Sequence, residues 1–208
     1  MRHRLALLLL ATLFVLAGCG GMTTIKTSWR DGGDTAGAPR RLAVFVAVSD
    51  ENLRKMAENR VVQSLQPALP AQAAHQLGLA PQLEQAEVRG RLVEAGFDAV
   101  LMARLVSVDK TQRLLPAQDP LLYQPLFWGR HPYFYPFSPL YPSYATKPQV
   151  VEDTRVIVET LLYRLPEGRP VWTAVSESFN PASSSEVVED LIRVIGRRLR
   201  SEGLLPGP

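Results

Sequence analysis

Apolar residues along the chain fall into two kinds of run. In one they occupy both alternating faces of an extended segment; in the other they recur every three or four positions. Residues 41–48 (RLAVFVAV) belong to the first kind and predict a central strand covered on both sides. Leu53, Met56, Ala57, Val61 and Leu65 then recur at helical spacing. Ser49 or Asp50 can accept the free amides of that helix's first turn, and Asp50 and Glu51 suit its positive end. No G-x-G-x-x-G and no phosphate-loop lysine sits at this strand–turn–helix, so it does not point to a nucleotide. Residues 66–81 hold three prolines, which exclude a long helix and leave room for a short strand over residues 68–73. Leu83, Ala86, Leu92, Val93 and Ala95 predict a second helix, opened by Pro81 and stopped by Gly96 in a left-handed conformation. Residues 98–112 (DAVLMARLVSVDKTQ) predict a third strand opened by Asp98.

Past Pro148 the pattern changes to strict alternation. Val156, Val158, Thr160 and Leu162 fall on one face, and Ile157, Glu159, Leu161 and Tyr163 on the other. A type I turn with Pro166 second and Gly168 fourth leads into residues 170–179 (PVWTAVSESF), giving an antiparallel hairpin. Ser183 and Glu186 have capping-box spacing, followed by an apolar stripe of Val187, Val188, Leu191, Ile192, Ile195 and Leu199. Acids early in this helix and arginines late match its dipole. The expectation is therefore a single small mixed-sheet domain of the α/β (α+β) class over 41–203, with a tail at 204–208. Its order is β-α-β-α-β-(insert)-β-β-α: parallel strands joined by right-handed crossovers, then an antiparallel hairpin and a C-terminal amphipathic helix.

The insert, 114–149, interrupts this order. Residues 123–144 (YQPLFWGRHPYFYPFSPLYPSY) carry nine of the chain's sixteen aromatic residues, interleaved with five prolines. The prolines leave no room for a helix or a central strand. Aromatics and arginine are enriched at interface centres, which makes Trp128, Arg130, Tyr133, Tyr135 and Tyr141 candidate contact residues. A low-complexity segment laid over the domain, or disordered, is the alternative. Ahead of the first central strand, residues 19–40 are polar and glycine-rich and read as a tether, with IKTSWRD as a short edge strand. Trp29 within it either packs on the domain edge or serves as an exposed partner anchor.

The first eighteen residues stand apart. Arg2 and Arg4 precede an apolar run from Leu5 to Gly18, too short for the roughly 20 residues a membrane-spanning helix needs. This is a secretory signal. Leu16, Ala17, Gly18 and Cys19 resemble the lipobox of bacterial lipoproteins, and Cys19 is the only cysteine in the chain. That resemblance implies cleavage before Cys19 and a covalent lipid on it, with two or three acyl chains to hold the protein at the membrane. Gly20 and Gly21 stand where an aspartate would imply retention at the inner membrane, so the resemblance implies the outer membrane, with the domain in the periplasm. Removal of the signal also changes the charge. Without Arg2 and Arg4, the 23 basic residues become 21 against 20 acids, a net charge of about +1. With basic residues dispersed outside the last helix, a nucleic-acid partner is excluded.

The lipobox, SWRD, SDENLRK, DAVLMARLVSV, the aromatic insert, VIVETLLY and VWTAVSESF together resemble a family of uncharacterised outer-membrane lipoproteins of Gram-negative bacteria. The resemblance covers most of the mature chain and implies no activity and no catalytic residues. At the level of topology the order is also similar to small α/β domains of periplasmic assembly lipoproteins, such as activators of peptidoglycan synthases or curli-secretion components. Such likeness does not fix function.

Catalytic chemistry finds little support in the residues. Beyond the signal there are only His75 and His131, with no G-x-S-x-G and no paired histidine or cysteine ligands. His75 reads as a loop histidine. Glu152 and Asp153 are neighbours on a strand and point to opposite faces. The expectation is an interaction domain without catalytic activity, metal or cofactor beyond the lipid on Cys19. Its partners would be the membrane, through the lipid, and an envelope protein or peptidoglycan. An accessory part of an envelope assembly, in peptidoglycan synthesis or secretion, is the alternative, and a periplasmic enzyme a further one. The sequence sets no oligomeric state.

Overall fold

Among the described residues, the alternating and helical patterns become a six-stranded mixed sheet with three α-helices. The computed structural model describes residues 22–79, 84–115 and 149–207. Along the chain run β1 (Met22–Arg30), β2 (Leu42–Ala47), α1 (Glu51–Leu65), β3 (Ala71–Ala73), a 3-10 turn (Ala74–Leu77) and α2 (Gln85–Glu94). They are followed by β4 (Ala99–Leu115), β5 (Gln149–Arg164), β6 (Arg169–Phe179) and α3 (Ser184–Ser201). The sheet order is β1-β6-β5-β4-β2-β3. β2 is parallel to β3 and β4, while β6 is antiparallel to β5 and β1. β4 and β5 run antiparallel: Leu165 N–H donates to the Asp98 carbonyl at 3.0 Å, and Arg104 further along β4 pairs with Glu159 further back on β5.

The chain divides into two compact units, Met1–Asp109 with Thr154–Pro208, and Lys110–Asp153. In the second, the described ends of β4 and β5 carry the ion pairs Lys110–Glu152 at 2.9 Å and Arg113–Asp153 at 3.2 Å.

In the first unit, β2 shows why both of its faces are apolar. Leu42 and Val44 join the main core with Val62 and Leu65 of α1 and Ile195 and Leu199 of α3. Ala43 and Phe45 pack with Leu92 and Val88 of α2 and with Phe97 and Val100. Trp172 of β6 and Leu162 of β5 are fully buried in the main core. Burying one such side chain is worth about 1.5–3 kcal/mol. The helix ends follow the predicted chemistry. Asp50 accepts from the amides of Asn52 and Leu53, and Ser183 accepts from the Glu186 amide. The Glu186 carboxylate reaches back to the amide of Ala182 at 2.6 Å. Gly96 has φ +80 at the end of α2.

Four features depart from expectation. First, the edge strand is nine residues long and pairs with β6 from Met22 to Arg30. Residues 31–40 are held as well: the buried Asp34 and Arg164 form a paired contact at 3.1 and 3.3 Å. Residues 22–40 thus belong to the sheet and its edge rather than to a free tether. Second, Leu204 and Leu205, assigned to a tail, are buried in the main core. Gly203 turns left-handed after α3 and sends Leu204 N–H back to the Leu199 carbonyl at 2.8 Å. Third, the turn after β5 closes from Arg164 to Gly168, with Gly168 N–H donating to the Arg164 carbonyl at 2.8 Å and φ +68. It is one residue wider than a type I turn, since the carbonyl that accepts is that of Arg164 rather than Leu165. Fourth, the short strand of the proline-rich stretch narrows to Ala71–Ala73. Pro81 and Leu83 lie outside the described residues.

Candidate functional site: an aliphatic cleft between two helices and the sheet

Helices α1 and α3 lie on the same face of the sheet and leave a cleft of about 340 Å³ between them. One wall is Leu53, Ala57 and Val61 of α1; the other is Val188, Leu191 and Ile192 of α3. Val46, Leu101, Ala103, Val156 and Val158 form the floor. These are largely the positions whose spacing predicts a sealed core. Several stay only half-buried, and the small Ala57, Ala103 and Gly196 stand among them. The inner end is shut by the buried Leu65, Leu199 and Leu205. At the outer end stand Val48, Leu105, Val108, Thr154 and Ser183. There Leu105 is 42% and Val108 49% exposed.

Three of the polar groups on the lining are engaged within the protein. Ser64 donates to the Val61 carbonyl at 2.7 Å, Ser183 caps α3, and Arg104 is paired with Glu159. Among the described residues, the cleft therefore offers no free charge to a ligand. Its volume falls in the range of small-molecule sites, about 300–1,000 Å³. Its chemistry suits an aliphatic chain.

The opposite face carries a second recess of about 290 Å³, bordered by Phe45, Val88, Met102 and Tyr163 with Arg54 and Glu58. Glu58 is 1% exposed. Its carboxylate accepts the amides of Val46 at 3.2 Å and His75 at 3.0 Å, and a 2.6 Å hydrogen bond joins it to His75 Nδ1. Arg54 stands 3.9 Å away. The network ties β2, α1 and the 3-10 turn together. His75 is thus part of a buried joint rather than a plain loop histidine, and sequence reasoning did not single out Glu58. The signal was there: Glu58 lies three, four and seven residues before Val61, Val62 and Leu65, in phase with the apolar stripe.

At the foot of the same face, Asp98 accepts the amides of Arg40 and Arg41, each at 2.9 Å, with the Arg40 guanidinium at 3.5 Å. Burial raises its pKa, but these donors outweigh burial and hold the carboxyl below the usual aspartate range. Among the described residues no group of three His, Cys, Asp or Glu side chains is placed to hold a metal ion. Nor is any described helix long and apolar enough to cross a membrane.

Of the predicted contact residues, Trp29 stands on β1 opposite Thr173 and is 51% exposed. It does not line the cleft, whose outline was not foreseen. Leu16, Ala17, Gly18 and Cys19 lie outside the described residues, as do Trp128, Arg130, Tyr133, Tyr135 and Tyr141.

No protein-family model and no curated protein matches the sequence. Among solved structures, PelC from Paraburkholderia phytofirmans, a dodecamer, matches at 13% identity and a TM-score of 0.47, over 89% of this chain and 100% of that one. Lipoprotein GNA1162 from Neisseria meningitidis matches at 13% identity and a TM-score of 0.41, over 78% of this chain and 99% of that one. The similarity to both is distant.

Proposed function

We propose that the chain is a lipid-anchored outer-membrane lipoprotein whose periplasmic domain is a binding module without catalytic activity, an accessory part of an envelope assembly. The lipobox at residues 16–19 supports the anchor. The observation that carries the binding role is the aliphatic cleft, whose lining is mostly Leu, Ile, Val and Ala and whose one charged side chain is paired. A hydrolytic or transfer site needs a nucleophile beside a base, or an oriented acid–base pair. The cleft is suited instead to shape and apolar complementarity. A domain held on a lipid acts on neighbours at high local concentration, so modest contacts suffice.

Fractionation of a Cys19→Ala variant tests the reading. The substitution removes the thiol that takes the lipid and keeps a run of small side chains after Leu16, a pattern that ordinary signal cleavage accepts. The wild type should sediment with outer membrane and the variant should appear in the periplasmic extract. Crosslinking the wild type in intact envelopes should then capture a protein or peptidoglycan partner. A variant that stays with the outer membrane removes the lipid-anchor reading.

A further inference from the structure

We propose that the cleft between α1, α3 and the sheet is an acyl-chain site, occupied by one chain of the lipid on Cys19 of the same molecule. This rests on the lipoprotein reading above. Three observations carry it.

The first is chemical. Walls and floor are Leu, Ile, Val and Ala, and among the described residues the lining has no aromatic side chain and no unpaired charge. Such a lining gives a sugar, a nucleotide or a charged metabolite no free charge and only a few hydroxyls. An aliphatic chain needs no more than what is present.

The second is the shape. The cleft is closed by Leu65, Leu199 and Leu205 and opens past Val108, Thr154 and Ser183. A cleft with one buried apolar end and one exposed end suits a chain that enters from the exposed end.

The third is where β1 begins. Met22 pairs with Phe179 at the end of β6, two residues before Pro181, which lines the open end with Ser183 and Ser184. Thr23 Oγ1 lies 2.7 Å from Ser178 Oγ and donates to Asp190 on α3 at 3.2 Å. The next residue, Leu191, is in the cleft wall. Only Gly20 and Gly21 separate Cys19 from Met22, three chain steps with a reach of about 10 Å. An acyl chain extends roughly 15 Å, half the thickness of a bilayer core. The lipid is therefore tied within reach of the mouth and faces no translational search. A second and third chain on Cys19 remain for the membrane. The arrangement would hold the open end of the domain towards the bilayer.

Photocrosslinking tests the occupant. The full-length protein is expressed in cells fed a diazirine-bearing fatty acid, irradiated in its membranes and digested. The mass of the N-terminal peptide first reports whether Cys19 carries acyl chains. If it carries none, the lipoprotein reading falls, and the occupant falls with it. If it carries them, the expected product joins that peptide to residues of α1 or α3 in the same chain. Lipidated protein crosslinked only to phospholipid, to other proteins or to residues 116–148 overturns the proposal.

A binding assay tests the site itself. The soluble Cys19→Ala protein should bind one fluorescent sixteen-carbon fatty acid per chain. Val188→Trp, which fills the cleft, and Leu105→Asp, at its half-exposed mouth, should each weaken binding at least tenfold while keeping the circular dichroism spectrum. The lipidated wild type in nanodiscs should bind the probe at least tenfold more weakly than Cys19→Ala, because its site is filled. Equal binding by the lipidated and unlipidated proteins, or none by Cys19→Ala, overturns the proposal.

Discussion

Glu58 occupies a place where the stripe of α1 calls for an apolar side chain. A buried carboxylate is tolerated there because two backbone amides and His75 Nδ1 satisfy its oxygens. Glu58→Ala would orphan those donors and loosen the joint between β2, α1 and the 3-10 turn. Breaking a buried charged network costs about 3–5 kcal/mol. Urea unfolding should show a loss of that order at unchanged m. Glu189→Ala, which cuts the exposed pair with Arg60, should cost no more than about 0.5 kcal/mol. Asp98 gives the residue-scale pH dependence. Its pKa is below the usual value in the folded state, so its contribution is full above the unfolded value, about 3.9. It is lost as pH falls from there through the folded value. Asp98→Asn should lose about 1 kcal/mol at neutral pH and show a shallower decline below pH ~4. Parallel declines for the two proteins, measured by urea titration at a series of pH values, would remove Asp98 from the account of acid unfolding.

Elements with one strong period were legible from the chain alone. β2 showed its two buried faces in RLAVFVAV, β5 its alternation, and α3 its stripe, cap and dipole-matched charges. Where an element depends on distant partners, the pattern is silent. β1 is polar on most positions and gains its length from pairing with β6 and from the Thr23–Ser178–Asp190 contacts, more than 150 residues away. The cleft was hidden for a related reason. A stripe of Leu, Val and Ile predicts a buried face, but whether two such faces meet depends on how the helices that carry them are set on the sheet. The C-terminal end makes the same point. Leu204 and Leu205 follow the helix-ending Gly203 and look like a tail, yet the Schellman-type return carries them into the core. Truncation after Gly203 should therefore cost at least about 3 kcal/mol, the scale of removing a buried leucine. A truncated protein whose unfolding midpoint in urea matches the full chain would show that these two leucines contribute little.

At the scale of the whole molecule, the unit formed by Met1–Asp109 and Thr154–Pro208 contains all the described side chains of both core clusters; no described member lies between residues 110 and 153. β4 and β5 are also antiparallel neighbours, so a short turn can join them where residues 116–148 now intervene. A shorter connection between such strands adds no closure entropy. Deleting 116–148 should then leave one cooperative unfolding transition with its midpoint within about 4 °C of the full chain, since 1 kcal/mol moves a protein of this size by roughly 2–4 °C. If the midpoint falls by more than about 10 °C, several kcal/mol of packing come from the aromatic segment and the core extends beyond the two clusters. If the fold is kept, the same variant separates the two candidate binding surfaces. Fatty-acid binding by its Cys19→Ala form belongs to the cleft and should survive, because every described residue lining the cleft lies in the retained unit. Capture of an envelope partner should be lost if Trp128, Arg130 and the tyrosines make that contact. Retention of both activities would place partner binding on the sheet edge that exposes Trp29.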